Sequence, residues 1–224
     1  MASSPGFALR GLYAITPETA DGERLAAAVE QALAGGAALV QYRAKALAPA
    51  VALEQARRLA GLCRARGVPL IVNDSVELAL ACGADGVHLG RDDIGLAKAR
   101  AALPGAIVGV SCYANPAAAR AAAEGGADYV AIGSVFSSTT KPGAARATLA
   151  QLGEARRAGG LPVAAIGGIT PANVGEVVAA GADMAAVISA LFDAGDILER
   201  ARELSGAFHE ASSPLDEEPR RAHG

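Results

Sequence analysis

GADGVHLG (Gly83–Gly90), GADYVAIG (Gly126–Gly133) and GADMAAVIS (Gly181–Ser189) are three copies of one device. In each, Gly-Ala-Asp follows an alanine-rich stretch with helical spacing and leads directly into a short apolar run. Gly36-Ala37-Ala38 is a fourth, looser copy. A glycine at that point ends a helix in the left-handed conformation, and the small alanine lets the chain turn closely into a strand. Four αβ turns of one kind imply a single architecture used repeatedly.

Working outward from these turns, eight apolar segments read as strands: Leu12 to Thr16, Ala38 to Tyr42, Leu70 to Asn73, Gly86 to Leu89, Ile107 to Ser111, Tyr129 to Ile132, Val163 to Ile166 and Met184 to Ile188. Several are unbroken apolar runs, the pattern of parallel strands buried on both faces. The stretches between them carry helical spacing, as in Leu53, Ala56, Leu59 and Cys63. Thr170 with Pro171 reads as one helix start, closed by Gly181. Asn115 with Pro116 reads as another, closed by Gly125 or Gly126. Eight strand–helix pairs in this length predict an α/β fold, a single (β/α)8 barrel of the TIM type over residues 1–210. An open doubly wound sheet is the alternative, but the early glycine-rich phosphate loop of that fold is missing. Residues 211–224 are polar and charged, with two prolines, and read as a disordered tail.

Composition narrows the partners. A net charge of −3 without basic clusters, and no tryptophan, argue against nucleic acid. No apolar run reaches the length of a membrane span, and MASSPGFALR lacks the form of a secretion signal. The three cysteines lack metal-ligand spacing and read as free thiols in a reducing cytosol, which predicts a cytoplasmic protein. Nothing speaks against a homo-oligomer.

In such barrels chemistry sits at the C-terminal strand ends, and polar residues gather there. Gln41, Arg43 and Lys45 alternate after the second strand, so they share a side, and two cations there suit a diphosphate. Asn73-Asp74 follows the third strand and Arg91-Asp92-Asp93 the fourth. Carboxylates from neighbouring loops repel unless a cation joins them, and Mg²⁺ fits such a pair. Capping of the next helix by Asp74 or Ser75 is the plainer reading of either residue alone. Ser111 ends the fifth strand. After the sixth, Ser137 to Thr140 followed by Lys141 make an anion loop, although a simple hydroxyl-rich loop has the same look. Gly167-Gly168 and Ser189 follow the last two strands, where bare N–H groups approach phosphate. Of the three histidines, His88 lies inside a strand, where a packing role outweighs a catalytic one. No Cys–His or Ser–His pair is evident, so the chemistry needs no protein nucleophile.

QYRAK (Gln41–Lys45), VNDSVELALACGADGVHLGRDD (Val72–Asp93), GVSCY (Gly109–Tyr113), GADYVAIGSVFSSTTKPGA (Gly126–Ala144) and AIGGITPANVGEVVAAGADMAAVISALF (Ala165–Phe192), in this order, resemble the thiamine phosphate synthase family. The resemblance implies Mg²⁺-assisted joining of 4-amino-2-methyl-5-hydroxymethylpyrimidine diphosphate to 4-methyl-5-(2-hydroxyethyl)thiazole phosphate, or its carboxylated form, giving thiamine monophosphate and diphosphate. It implies that Gln41, Arg43, Lys45, Asn73, Ser111 and Lys141 contact the pyrimidine diphosphate, within a binding segment that includes Tyr42 and Ala44. Arg43, Lys45, Ser111 and Lys141 would be catalytic, and Asp74 and Asp93 would bind Mg²⁺. Ser138, Thr139, Thr140, Gly168, Ile188 and Ser189 would hold the thiazole phosphate. The implied mechanism is dissociative, with diphosphate leaving before the thiazole nitrogen attacks.

Three positions depart from the family pattern: Arg91 where glutamine is common, Ser138 where threonine is frequent, and Tyr113 where many members have histidine. The last counts against a related thiazole tautomerase. A silent relative that only binds thiazole phosphate is the other competing reading. The retained Arg43, Lys45, Asp74, Asp93 and Lys141 favour the synthase.

Overall fold

The computed structural model describes residues 6–91, 93–137 and 146–210. Among these, eight parallel strands close into a barrel in sequence order: β1 (Gly11–Ile15), β2 (Ala37–Tyr42), β3 (Leu70–Asn73), β4 (Gly86–Leu89), β5 (Ile107–Tyr113), β6 (Tyr129–Gly133), β7 (Val163–Ile166) and β8 (Met184–Val187). β8 pairs with β1 to complete the ring. The intervening helices are α1 (Gly22–Ala34), α2 (Pro49–Ala65), α3 (Val76–Cys82), α4 (Leu96–Ala102), α5 (Ala118–Glu124), α6 (Ala150–Gly159) and α7 (Val174–Ala179). A short turn of helix, α8 (Ser189–Phe192), and the longer α9 (Ile197–Glu210) follow β8. The (β/α)8 barrel is thus as expected, and every strand boundary lies within two residues of the sequence reading. The proposed tail, 211–224, lies outside the described residues.

Two apolar layers result from strand alternation. One side of each strand faces the helices, where Val40, Val72, Val108 and Val130 meet helix residues such as Val29, Ala56, Leu59 and Leu152. The other side fills the barrel with Tyr13, Leu39, Ile71, Ile107, Tyr129 and Met184. Gly109 on β5 makes the room this interior needs. A Cβ there would lie 2.0 Å from Cζ of Tyr129, its partner on β6, so only glycine lets that ring cross the barrel axis.

The Gly-Ala-Asp turns behave as read and do more. Gly36, Gly83, Gly126 and Gly181 all have positive φ, at 97°, 68°, 87° and 92°. Each aspartate of the three full copies then reaches back to an N–H at the start of the preceding strand. Asp85 accepts from Leu70 at 2.8 Å, Asp128 from Val108 at 2.7 Å and Asp183 from Val163 at 2.9 Å. Arginines pair with two of them, Arg100 with Asp128 and Arg156 with Asp183. These clasps pin the strand starts in pairs and so fix the barrel's stability face, opposite the strand C-termini. Asp183→Ala leaves a buried N–H without its acceptor and should cost about 2 kcal/mol, read as a lower urea midpoint. Asp183→Asn, which keeps an acceptor oxygen, should lose clearly less.

Two helix starts correct the sequence reading. Thr170 and Pro171 belong to a turn, not to the first helical residues. The Asn173 carboxamide accepts the Thr170 N–H at 2.8 Å, and α7 begins only at Val174. Asn115-Pro116 likewise forms a turn before α5 begins at Ala118. In both places the proline opens a turn that leads into the helix.

Candidate active site at the strand C-termini

Two cavities open side by side at the C-terminal end of the barrel. The larger, about 550 Å³, is floored by Tyr13, Ile15, Ala131, Ile166 and Ala186 and walled by Gly168, Ile188 and Ser189. Its floor is open because Ala131 on β6 and Ala186 on β8 are small where β1 carries Tyr13 and Ile15. The smaller, about 140 Å³, is polar and is bounded by Arg43, Lys45, Asp74, Arg91 and Asp93. Arg43, Asn73, His88, Ser111 and Tyr113 border both, so the cavities share a wall.

β2 delivers its residues by parity. Gln41 is buried and turns inward, donating from Nε2 to the Tyr13 hydroxyl at 2.7 Å. Arg43 follows on the same side, its own N–H held by Thr16 Oγ1 at 3.0 Å. Lys45 is half-exposed and sets Nζ 2.7 Å from Asp74. Between them, Tyr42 and Ala44 of the expected binding segment turn their side chains away from this side. The Tyr42 side chain turns to the helix layer, where its hydroxyl donates to Gln55 at 2.9 Å, and Ala44 packs against the same layer. Alternation allows these two only their backbone at the site.

β3 and β4 bring the acids together. Asn73 lies opposite His88 in the ladder, and the Asp74 N–H donates to the His88 carbonyl at 2.8 Å. Ser75 caps α3, accepting the Leu78 N–H at 3.1 Å, so Asp74 is not needed as a cap. Its backbone instead adopts φ 65°, a rare conformation for a non-glycine residue. Asp93 returns from the loop after β4 and accepts the Gly90 N–H at 2.6 Å.

The two carboxyls interact directly, and their affinities for protons are pushed apart. Burial pushes Asp93 up, and the neighbouring Asp74 carboxylate adds to this against the Gly90 hydrogen bond. For Asp74 burial also acts upward. The Lys45 ammonium and the hydrogen bond from Asp93 outweigh it and leave Asp74 below the ordinary carboxylate range. Two acids that crowd one another this way form a donor set suited to a divalent cation. No cluster of three or more ligating side chains occurs among the described residues, so an ion here would draw further ligands from water and substrate. Asp92 lies outside the described residues.

The far wall is shaped by close backbone packing. Gly168 has φ 65°, and a Cβ on it would lie 2.2 Å from the Ser137 carbonyl oxygen. The residue must be glycine for packing, and its backbone borders the larger cavity. Asn173 holds the Gly168 carbonyl at 3.0 Å. Ser134 accepts the Ala147 N–H through its carbonyl at 2.9 Å, and Arg146 donates to Ser137 at 2.8 Å. Ser138, Thr139, Thr140 and Lys141, of the expected anion loop, lie outside the described residues.

Sequence reasoning missed the polar floor. Tyr13 and Tyr129 bring their hydroxyls within 2.6 Å across the barrel, and Tyr129 also reaches His88 Nδ1 at 2.9 Å. His88 Nε2 lies 2.8 Å from the Ser111 hydroxyl. His88 is buried, as a packing residue would be, yet it borders both cavities. Tyr113, with φ 53°, was also missed as a wall. Its hydroxyl accepts the Arg91 N–H at 3.1 Å, and the Arg91 guanidinium lies 4.6 Å from its ring centroid. Inward parity on β1 and β6 was the available signal for the tyrosines.

A parallel barrel whose C-terminal mouth joins a cationic, carboxylate-bearing cavity to a larger apolar one defines a barrel enzyme acting on small molecules. The family model described as thiamine monophosphate synthase matches residues 12–191. The thiamine-phosphate synthase of Thiobacillus denitrificans is 57% identical over 199 residues, covering 88% of this chain and 94% of that protein. That of Methylococcus capsulatus is 50% identical over 215 residues, covering 96% and 95%. A solved structure of thiamine phosphate pyrophosphorylase from Pyrococcus furiosus superposes with a TM-score of 0.83 at 35% identity, covering 92% of this chain and 98% of that one. The chain belongs to the thiamine monophosphate synthase family, whose members are transferases of thiamine biosynthesis. Among the described residues, no helix is long and apolar enough to cross a membrane.

Proposed function

We propose that this chain joins 4-amino-2-methyl-5-hydroxymethylpyrimidine diphosphate to 4-methyl-5-(2-hydroxyethyl)thiazole phosphate, releasing thiamine monophosphate and diphosphate in a dissociative substitution. The observation that carries the reading is the shared wall between the two cavities. A substrate whose diphosphate lies in the small cavity and whose ring lies in the large one has its scissile carbon–oxygen bond at that wall.

Arg43 and Lys45 supply positive charge where the diphosphate takes up the bonding electron pair. Asp74 and Asp93 are suited to hold Mg²⁺, which when bound neutralises phosphate charge. Ser111 stands at the junction as a neutral donor. The apolar side chains that line the larger cavity, Ile15, Ala131, Ile166 and Ala186, exclude water from the pyrimidine-methyl cation until the thiazole nitrogen donates its lone pair to that carbon. Gly168, Ile188 and Ser189 border the end of the large cavity assigned to the thiazole phosphate. Lys141 and the hydroxyls of Ser138, Thr139 and Thr140 are assigned to the loop that completes these two anion sites. The protein is assigned to the cytoplasm.

The test mixes both phosphorylated substrates with the purified chain and follows thiamine monophosphate. Formation that needs Mg²⁺ and stops on chelation supports the reading. Thiazole phosphate binding without turnover would instead leave a silent binder.

A further inference from the structure

Gln41, Tyr13, Tyr129, His88 and Ser111 come from five different strands, yet their polar atoms form one unbroken file across the barrel floor. The contacts are 2.7, 2.6, 2.9 and 2.8 Å in that order. The file is rigid. Tyr13 and Tyr129 are fully buried and meet edge to face at 5.8 Å, and the His88 ring stacks on Tyr129 at 5.5 Å. Gly109 gives the Tyr129 ring its space. The file ends at the wall between the cavities, where His88 and Ser111 border both.

The Gln41 amide donates to the Tyr13 oxygen, whereas the Tyr13–Tyr129 and Tyr129–His88 contacts fit either direction. In the order that continues from Gln41, Tyr13 sends its own proton to Tyr129, and Tyr129 sends its proton to His88 Nδ1. A ring nitrogen that accepts leaves a neutral imidazole with its proton on Nε2, which donates to Ser111 Oγ. Burial keeps both phenols protonated, well above the ordinary range, so neither breaks the sequence. With one hydrogen bond accepted from His88, the Ser111 proton is left for the junction.

We infer that His88 and Tyr129 are positioning residues: the file from Gln41 holds His88 as its Nε2–H tautomer and thereby aims the Ser111 hydroxyl proton at the oxygen anion that develops on the departing diphosphate. The inference rests on the proposed placement of that diphosphate in the small cavity. Run in the opposite sense, the same atoms would turn the Ser111 proton toward His88 and present lone pairs to an anion.

The first test needs no turnover. In [15N-ring]histidine protein, the signals retained in a His209→Gln/His223→Gln variant belong to His88. A pyridine-type Nδ1 with a pyrrole-type Nε2 is expected. The reverse pattern, or two pyrrole-type nitrogens, overturns the inference. The second test reads the effect on Ser111. Tyr129→Phe keeps the ring but removes the hydroxyl, and should lower kcat about 10-fold with KM changed less than about 2-fold. In a Ser111→Ala background the same change should alter kcat less than about 2-fold, because nothing is left to aim. An equal loss in both backgrounds makes Tyr129 merely structural and overturns the inference. No turnover in the unaltered chain would fall on the proposed reaction, while the ring measurement would still decide the tautomer.

Discussion

Asp93→Asn should lower kcat/KM by about 100-fold or more, equivalent to ~2.7 kcal/mol of transition-state stabilisation. The amide keeps an oxygen for the Gly90 N–H, so the loop after β4 keeps its anchor at 2.6 Å. What is lost is a negative charge beside Asp74 in the smaller cavity. The deficit should therefore shrink as Mg²⁺ is raised and grow as it is lowered, in steady-state assays across a Mg²⁺ series. The thermal midpoint should move little, because Asp93 belongs to the mouth and not to the clasps at the strand starts. A variant with full activity and an unchanged Mg²⁺ dependence would remove the paired-acid assignment.

Arg43→Ala should be at least as damaging, with kcat/KM down by about 100- to 1,000-fold. Its side chain borders both cavities, while its backbone is held by Thr16 whatever the side chain is. The substitution thus removes one guanidinium from the wall where the bond is proposed to break, without loosening β2. Arg43→Lys should recover only part of the loss, because an ammonium lacks the planar fork that spans two phosphate oxygens. Measured KM for each substrate separates the two cavities. The pyrimidine diphosphate should suffer, and the thiazole phosphate much less.

The legibility of the fold follows from where each segment is buried. Strands buried on both faces leave continuous apolar runs, so β3, β4 and β7 could be read to the residue. The repeated Gly-Ala-Asp turn marked the helix ends because a left-handed backbone selects glycine. Helix starts were harder. At Asn115 and Thr170 a turn precedes the first helical residue, and a cap-and-proline pattern describes the turn as well as a helix.

The site divides the same way. Arg43, Lys45, Asp74 and Asp93 were legible as a group because charge recurs after neighbouring apolar strands, although helix capping explained Asp74 taken alone until Ser75 proved to be the cap. They do meet, in one cavity. Tyr42 and Ala44 were placed with them by proximity in sequence, although strand parity sends their side chains to the helix layer. The file of Tyr13, Tyr129 and His88 was not legible. It joins residues 116 and 41 positions apart through contacts that exist only once the barrel closes. An inward tyrosine with a polar partner looks, in sequence, like any core aromatic.

The central claim is that diphosphate and a divalent ion occupy the small cavity while the ring systems take the large one. Crystals grown with Mn²⁺ and inorganic diphosphate test it most directly, because the ion can be located by its anomalous scattering. The expected result is one Mn²⁺ bound by Asp74 and Asp93, with diphosphate oxygens on Arg43 and Lys45. Diphosphate lodged against Gly168 and Ser189, with the metal away from both acids, would contradict it.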